Sequence, residues 1–142
     1  MKALIDTCVI VDVLQDREPF SADGREIFLY ASNRIFTGCL TASSATDIYY
    51  LTHRCTHDAA KSREIMNKLF SLFDLLDTTG DDCRLAALSQ ISDYEDAVMV
   101  ETAVRCGADC IVTRNLGDYS PAPIPVYSPC DFLKKIKKDY TN

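Results

Sequence analysis

Short, apolar, β-branched runs alternate along this chain with longer stretches of helical periodicity, and few folds satisfy that alternation. The strand-like runs are Ala3–Ile5, Ile35–Thr37, Phe73–Leu76, Cys110–Thr113 and Pro125–Tyr127. Between and after them the pattern predicts helices over Ser21–Ser32, Thr41–His53, Asp58–Leu72, Asp81–Ile91, Ser92–Cys106 and Pro129–Lys138. Ser92-Asp-Tyr-Glu95 reads as a capping box, and Gly107 stands where a left-handed helix terminator belongs. Strands joined through helices cross over with one hand and give a parallel sheet covered on both faces. The expected fold class is therefore α/β, a three-layer α/β/α domain with a parallel sheet of about five strands. With 142 residues, 47% of them hydrophobic, the chain has the make-up of one compact domain over 1–142. The prolines at 121, 123, 125 and 129 are expected to shape an edge strand rather than a linker.

Composition removes several classes. The longest uncharged runs, Ile35–Thr46 and Tyr119–Cys130, fall well short of the roughly 18 apolar residues of a membrane span, so a soluble protein with no membrane role is expected. Asp6 and Asp12 interrupt the N-terminal apolar stretch before a signal-peptide core can form. The seven cysteines are odd in number and lack CxxC pairing, which favours packed thiols in a reducing cytoplasm. A net charge of −6 disfavours gripping nucleic acid by bulk attraction, yet the charges are unevenly placed. Lysines crowd at 134, 135, 137 and 138, and acids at 93, 95, 96 and 101; a basic rim near an acidic pocket and two solvated helix faces are both open readings.

Ligands of open parallel sheets sit outside the carboxyl ends of the strands, so polar residues just after strands carry most weight. Asp6 follows the first strand directly, and Asn115 and Asp118 follow the fourth, which puts them at the same edge. A turn or helix cap is the alternative for Asp6. Asp47 lies in a helix with Ser43, Ser44, Tyr50 and Leu51 about one turn away; the alternative is a surface carboxylate near Arg54. Capping accounts for Asp93 and Glu95. Asp96 shares a helical face with Val100 and Ala103, so it points toward packed structure and needs another explanation besides the helix dipole.

Carboxylates gathered from several elements repel one another unless a cation stands between them. An all-oxygen set suits a hard ion such as Mg²⁺ or Mn²⁺, and the chemistry that follows is metal-assisted phosphodiester hydrolysis with water as nucleophile. No Ser-His or Cys-His pair competes. His53 and His57, four apart at a helix end, lack a third ligand for a transition metal.

The segments LIDTCVIVDVL at 4–14, SSATDIYYL at 43–51, DYEDAVMVETAVRCGADCIVTRN at 93–115 and DY at 118–119 resemble the PIN domain, and within it small bacterial proteins of the group that includes VapC-type toxin ribonucleases. The resemblance covers nearly the whole chain. It implies a Rossmann-like sheet and a Mg²⁺- or Mn²⁺-dependent endoribonuclease, with Asp6, Asp96 and Asp118 as metal ligands and Asp47 and Asn115 completing the catalytic set. Asp47 stands where most relatives carry Glu, and Asn115 where many carry Asp. Thr113 matches a hydroxyl residue that could hold a carboxylate or water. A homodimer and a small antitoxin protein are implied partners, with RNA as substrate. Candidates to guide the RNA are Arg17, Arg54, Arg114 and the lysines at 134–138, while Tyr49, Tyr50 and Tyr119 could stack on bases. The alternative is a PIN-like RNA-binding or protein-interaction module with weakened catalysis. Aspartyl-nucleophile phosphatases also begin with an Asp after the first strand, but they want a second Asp where this chain has Cys8.

Overall fold

The computed structural model describes all 142 residues. The strands are β1 (Lys2–Ile5), β2 (Thr37–Thr41), β3 (Asp74–Leu76), β4 (Cys110–Val112) and β5 (Val126–Tyr127). The helices are α1 (Thr7–Leu14), α2 (Ser21–Ser32), α3 (Ala42–Thr56), α4 (Ala59–Leu72), α5 (Gly80–Ala86), α6 (Tyr94–Arg105) and α7 (Pro129–Thr141). Every strand pair is parallel, and the spatial order is β3-β2-β1-β4-β5. The order reverses between β1 and β4, and a crevice opens beyond the strand ends at such a switch point.

Alternation along the strands builds two cores. Ala3, Ile5, Leu40, Cys110 and Val112 face one side, where they pack with Val9, Ile27, Ile48, Leu69 and Phe132. Leu4, Cys39 and Ile111 face the other, against Ala97, Val100, Ala103 and Tyr119. Both faces are buried, which is why β1 and β4 read as continuous apolar runs. The three-layer α/β/α architecture expected from the alternation is the one found, with β5 as the short edge strand after the prolines.

Four local expectations are corrected. Helix α1 has no counterpart in the sequence reading, because Val9, Ile10, Val11 and Asp12 are all buried and the helix shows no polar stripe. Strand β2 begins at Thr37, not Ile35, and runs through Gly38 and Cys39. Glycine is required there: a Cβ on Gly38 would meet the Phe73 ring at 2.6 Å. Helix α5 ends at Ala86 rather than reaching Ile91, whose N–H is taken by Ser89 Oγ. Helix α6 is capped by Asp93, whose carboxylate accepts the Asp96 N–H at 3.0 Å, so Ser92 and Glu95 form no capping box. The capping box lies instead at Thr79 and Asp82, at the start of α5. Gly107 does adopt a left-handed conformation just past α6, with φ 71°.

Candidate active site

Asp6 occupies the N-cap position of α1, yet its side chain caps nothing. Its Oδ2 accepts the Thr113 hydroxyl at 2.7 Å instead, across the β1–β4 switch point, and Thr113 Oγ1 in turn accepts the Asn115 N–H at 3.0 Å. The cap alternative for Asp6 is thereby set aside. Both Asp6 and Thr113 are buried. Cys8 Sγ lies 3.5 Å from Asp6 Oδ2, and burial together with the Asp6 charge pushes that thiol up to about 11, so it stays protonated and unreactive.

Asp96 enters from the first turn of α6. Its Oδ1 accepts the hydroxyl of Tyr119 at 2.9 Å, and Tyr119 itself has 0% exposure. Burial, with the Asp6, Asp93 and Asp118 charges adding to it, outweighs the Tyr119 hydrogen bond and pushes the Asp96 carboxyl up to about 6. Desolvation and the two neighbouring carboxylates push the Tyr119 phenol far above its usual range, so it remains a donor.

Asp6, Asp47 and Asp96 line one cleft of about 560 Å³. Ser43, Ser44, Tyr50 and Leu51 line it too, the same residues that periodicity places one turn from Asp47. Asp47 forms no ion pair with Arg54, whose guanidinium lies over the Tyr50 ring at 5.8 Å. Asn115 and Asp118 are exposed and stand outside this lining, although Asp118 is near enough for its charge to act on Asp96. The Asp118 N–H donates to the Asn115 carbonyl at 3.0 Å, which makes the two residues one turn beyond β4.

Sequence reasoning assigned Glu95 to capping, whereas it lines the cleft. The Asp47 charge raises its carboxyl above the usual range. The wall thus carries four acids, Asp6, Asp47, Glu95 and Asp96, and no Lys or Arg. The expected basic track is redistributed. Arg114 donates to both oxygens of buried Asp12, and Arg17 donates to Gln15. Lys134, Lys135 and Lys137 pair with Asp131, Asp139 and Glu26 on α7 and α2. Helix α7 starts beyond β5 and ends where the Tyr140 hydroxyl reaches the Ile35 carbonyl, so its lysines run away from the cleft edge. Of the three tyrosines named for stacking, Tyr50 is exposed on the cleft, Tyr49 stacks on His53 and Tyr119 is core.

The donor set fits a hard divalent cation in chemistry. Two carboxylates, Asp6 and Asp96, each keep one oxygen with no protein hydrogen bond, and each raises the charge cost of its neighbourhood. No three His, Cys, Asp or Glu side chains enclose a common point as they stand. A hard ion that retains much of its water needs only one or two carboxylates from the protein. All seven cysteines are free, and no helix is long and apolar enough to cross a membrane.

The fold is shared with solved VapBC and VapC structures. VapBC from Salmonella typhimurium bound to DNA superposes with a TM-score of 0.68 at 17% identity, covering 92% of this chain and 99% of that one. VapBC2 from Rickettsia felis, bound to a promoter DNA fragment, gives 0.67 at 13% identity, with 90% and 98% covered. VapC20 from Mycobacterium tuberculosis, described as a toxin that cleaves the sarcin-ricin loop, gives 0.59 at 14% identity, with 77% and 86% covered. No curated protein matches the chain in sequence. The family profile of the PIN domain matches residues 2–117, a span that holds β1 through β4 and every acid of the cleft, and the chain belongs to the PIN domain family.

Proposed function

We propose that this protein is a divalent-metal-dependent endoribonuclease of the VapC toxin type, cutting RNA phosphodiester bonds in the cleft that Asp6, Asp47 and Asp96 line. The observation that carries the reading is the approach of Asp6 and Asp96 from two elements to one cleft, with a free oxygen on each and no basic group on the cleft wall. Asp6 and Asp96 would hold Mg²⁺ or Mn²⁺, with Asp118 joining directly or through water. When bound, such an ion acidifies water and stabilises charge on the attacking and leaving oxygens. Thr113 orients Asp6 through its hydroxyl. Asp47, from α3, and Asn115, at the β4 turn, complete the polar set around the scissile group. Water is the nucleophile, and Asp47 with Glu95 supplies carboxylate acceptors for its proton. A small antitoxin protein is the proposed partner, supported by the toxin–antitoxin complex among the structural relatives, and a homodimer is proposed on the family resemblance alone. A cytoplasmic location follows from the reading as a toxin acting on RNA.

The test is cleavage of mixed structured and single-stranded RNAs with Mg²⁺ or Mn²⁺, comparing the native protein with Asp96→Asn at matched folding. Cleavage that needs the cation and vanishes in the variant supports the nuclease. Cleavage that ignores both the cation and the substitution sinks it. One observation favours a second reading, an interaction module with weakened catalysis: Asn115 and Asp118 are exposed and outside the cleft lining. Absence of Mn²⁺ binding together with absence of cleavage would select it.

A further inference from the structure

We propose that Tyr119 is a positioning residue of the cation site: its buried hydroxyl fixes the Asp96 carboxylate through Oδ1 and leaves Oδ2 to the cation. This rests on the metal-dependent reading above.

Tyr119 is the largest fully buried side chain of the molecule, and its ring packs in the core with Leu4, Ile111, Ala97 and Val100. A phenylalanine would fill that apolar space equally well. The hydroxyl is therefore not needed for packing, and it donates to Asp96 Oδ1 at 2.9 Å, with the Asp6 carboxylate also close to it. Asp96 has no second protein donor on its side chain, whereas its backbone N–H is held by Asp93. The arrangement repeats that of Asp6, whose Oδ2 takes the Thr113 hydroxyl while Oδ1 is unbound. Both hydroxyls come from one stretch of chain, Thr113 to Tyr119, at the end of β4. That stretch thus holds both cleft carboxylates by one oxygen each, from the core side. A carboxylate so held loses rotamer freedom before the ion arrives, and outer partners of metal ligands set affinity in this way. Tyr119 touches neither substrate nor cation and acts through the carboxylates it faces, Asp96 first.

The experiment compares Mn²⁺ affinity, by electron paramagnetic resonance titration, in the native chain and in Tyr119→Phe at matched folding. The expected result is an affinity loss of about tenfold or more, in the range typical of outer-partner substitutions. A purely structural hydroxyl would lower the unfolding midpoint and leave Mn²⁺ affinity within about twofold of native, and that result overturns the proposal. Should the variant not fold, the native protein labelled with ¹³Cζ-tyrosine still decides. A Tyr119 resonance that moves with the calorimetric Mg²⁺ midpoint supports the proposal, and one that stays put while Mg²⁺ binds overturns it. A native protein that binds neither Mn²⁺ nor Mg²⁺ overturns the metal-dependent function itself and this inference with it. Native binding with an unaffected Tyr119→Phe removes only the inference.

Discussion

Arg114 reaches back from the end of β4 and grips both oxygens of Asp12 on α1, with Nε to Oδ2 at 2.5 Å and Nη2 to Oδ1 at 3.1 Å. Asp12 is fully buried and Arg114 is about three-quarters so, with its guanidinium 4.0 Å from the centre of the Phe20 ring. The pair ties α1, which starts at Asp6, to the turn that carries Thr113 and Asn115. Removing one partner of a buried pair strands the other charge, at a cost of about 3 kcal/mol once the partial exposure of Arg114 is discounted. Asp12→Ala is expected to lower unfolding stability by roughly that amount in urea titrations. A change below about 0.5 kcal/mol, the ordinary size of a surface substitution, would contradict it.

Asp82 predicts a limb of acid sensitivity. Its carboxylate accepts from Arg105 at 2.9 and 3.0 Å, from the Thr102 hydroxyl at 3.0 Å and from the Thr79 N–H at 3.0 Å, joining α5 to α6. The Arg105 guanidinium leads the causes that hold this carboxyl down to about 2. A carboxyl depressed on folding adds stability above its unfolded value near 4 and loses it as pH falls toward 2. Stability is therefore expected to drop by about 1–2 kcal/mol across that window, allowing for solvent around Arg105. Asp82→Asn should flatten this part of the curve, measured as denaturation midpoint against pH; an unchanged slope would remove Asp82 as its source.

Gly38→Ala tests the packing behind β2. The added methyl would lie 2.6 and 2.9 Å from two atoms of the Phe73 ring, which is itself buried and edge-on to Phe28 at 5.0 Å. The ring has no free direction in which to yield. Overpacking of this kind costs about 1–3 kcal/mol, and thermal unfolding should fall accordingly. Gly117→Ala, where an added methyl meets nothing within 4 Å, is the control expected to leave the midpoint unchanged.

Asp96→Asn should act on stability in opposite directions with and without cation. In the metal-free protein the substitution removes a half-buried charge that faces Asp6 and Asp118, so the unfolding midpoint rises, by about 1 kcal/mol in free energy. Added Mg²⁺ raises the midpoint of the native protein by linkage and leaves the variant where it was. Calorimetric scans at several Mg²⁺ concentrations measure both; equal Mg²⁺ stabilisation of the two proteins would take Asp96 out of the cation site.

The alternation of apolar runs with helical periods was enough to foresee the parallel three-layer sheet, because strands buried on both faces and helices with one apolar stripe leave different periods in a sequence. The cleft acids Asp6 and Asp96 were legible for the same reason, the first following a strand end and the second lying on a helix face that periodicity turns inward, whereas for Asp47 periodicity left the cleft and a surface position near Arg54 both open. Helix α1 was hidden, since a helix buried almost all round carries β-branched residues without a polar stripe. The extent of β2 was hidden as well, since its glycine answers to Phe73, 35 residues away in sequence.

What the local sequence determined, then, was every strand and every helix but α1, their order and the edge at which polar side chains gather. Tertiary structure alone decided which partner each polar side chain took. Asp6 gives up a cap to receive Thr113, Asp96 receives a phenol from the core, Glu95 faces Asp47 rather than its own helix, and Arg114 turns to Asp12. These choices are set by separations in space between residues distant in the chain, and periodicity reports only on neighbours a few residues apart.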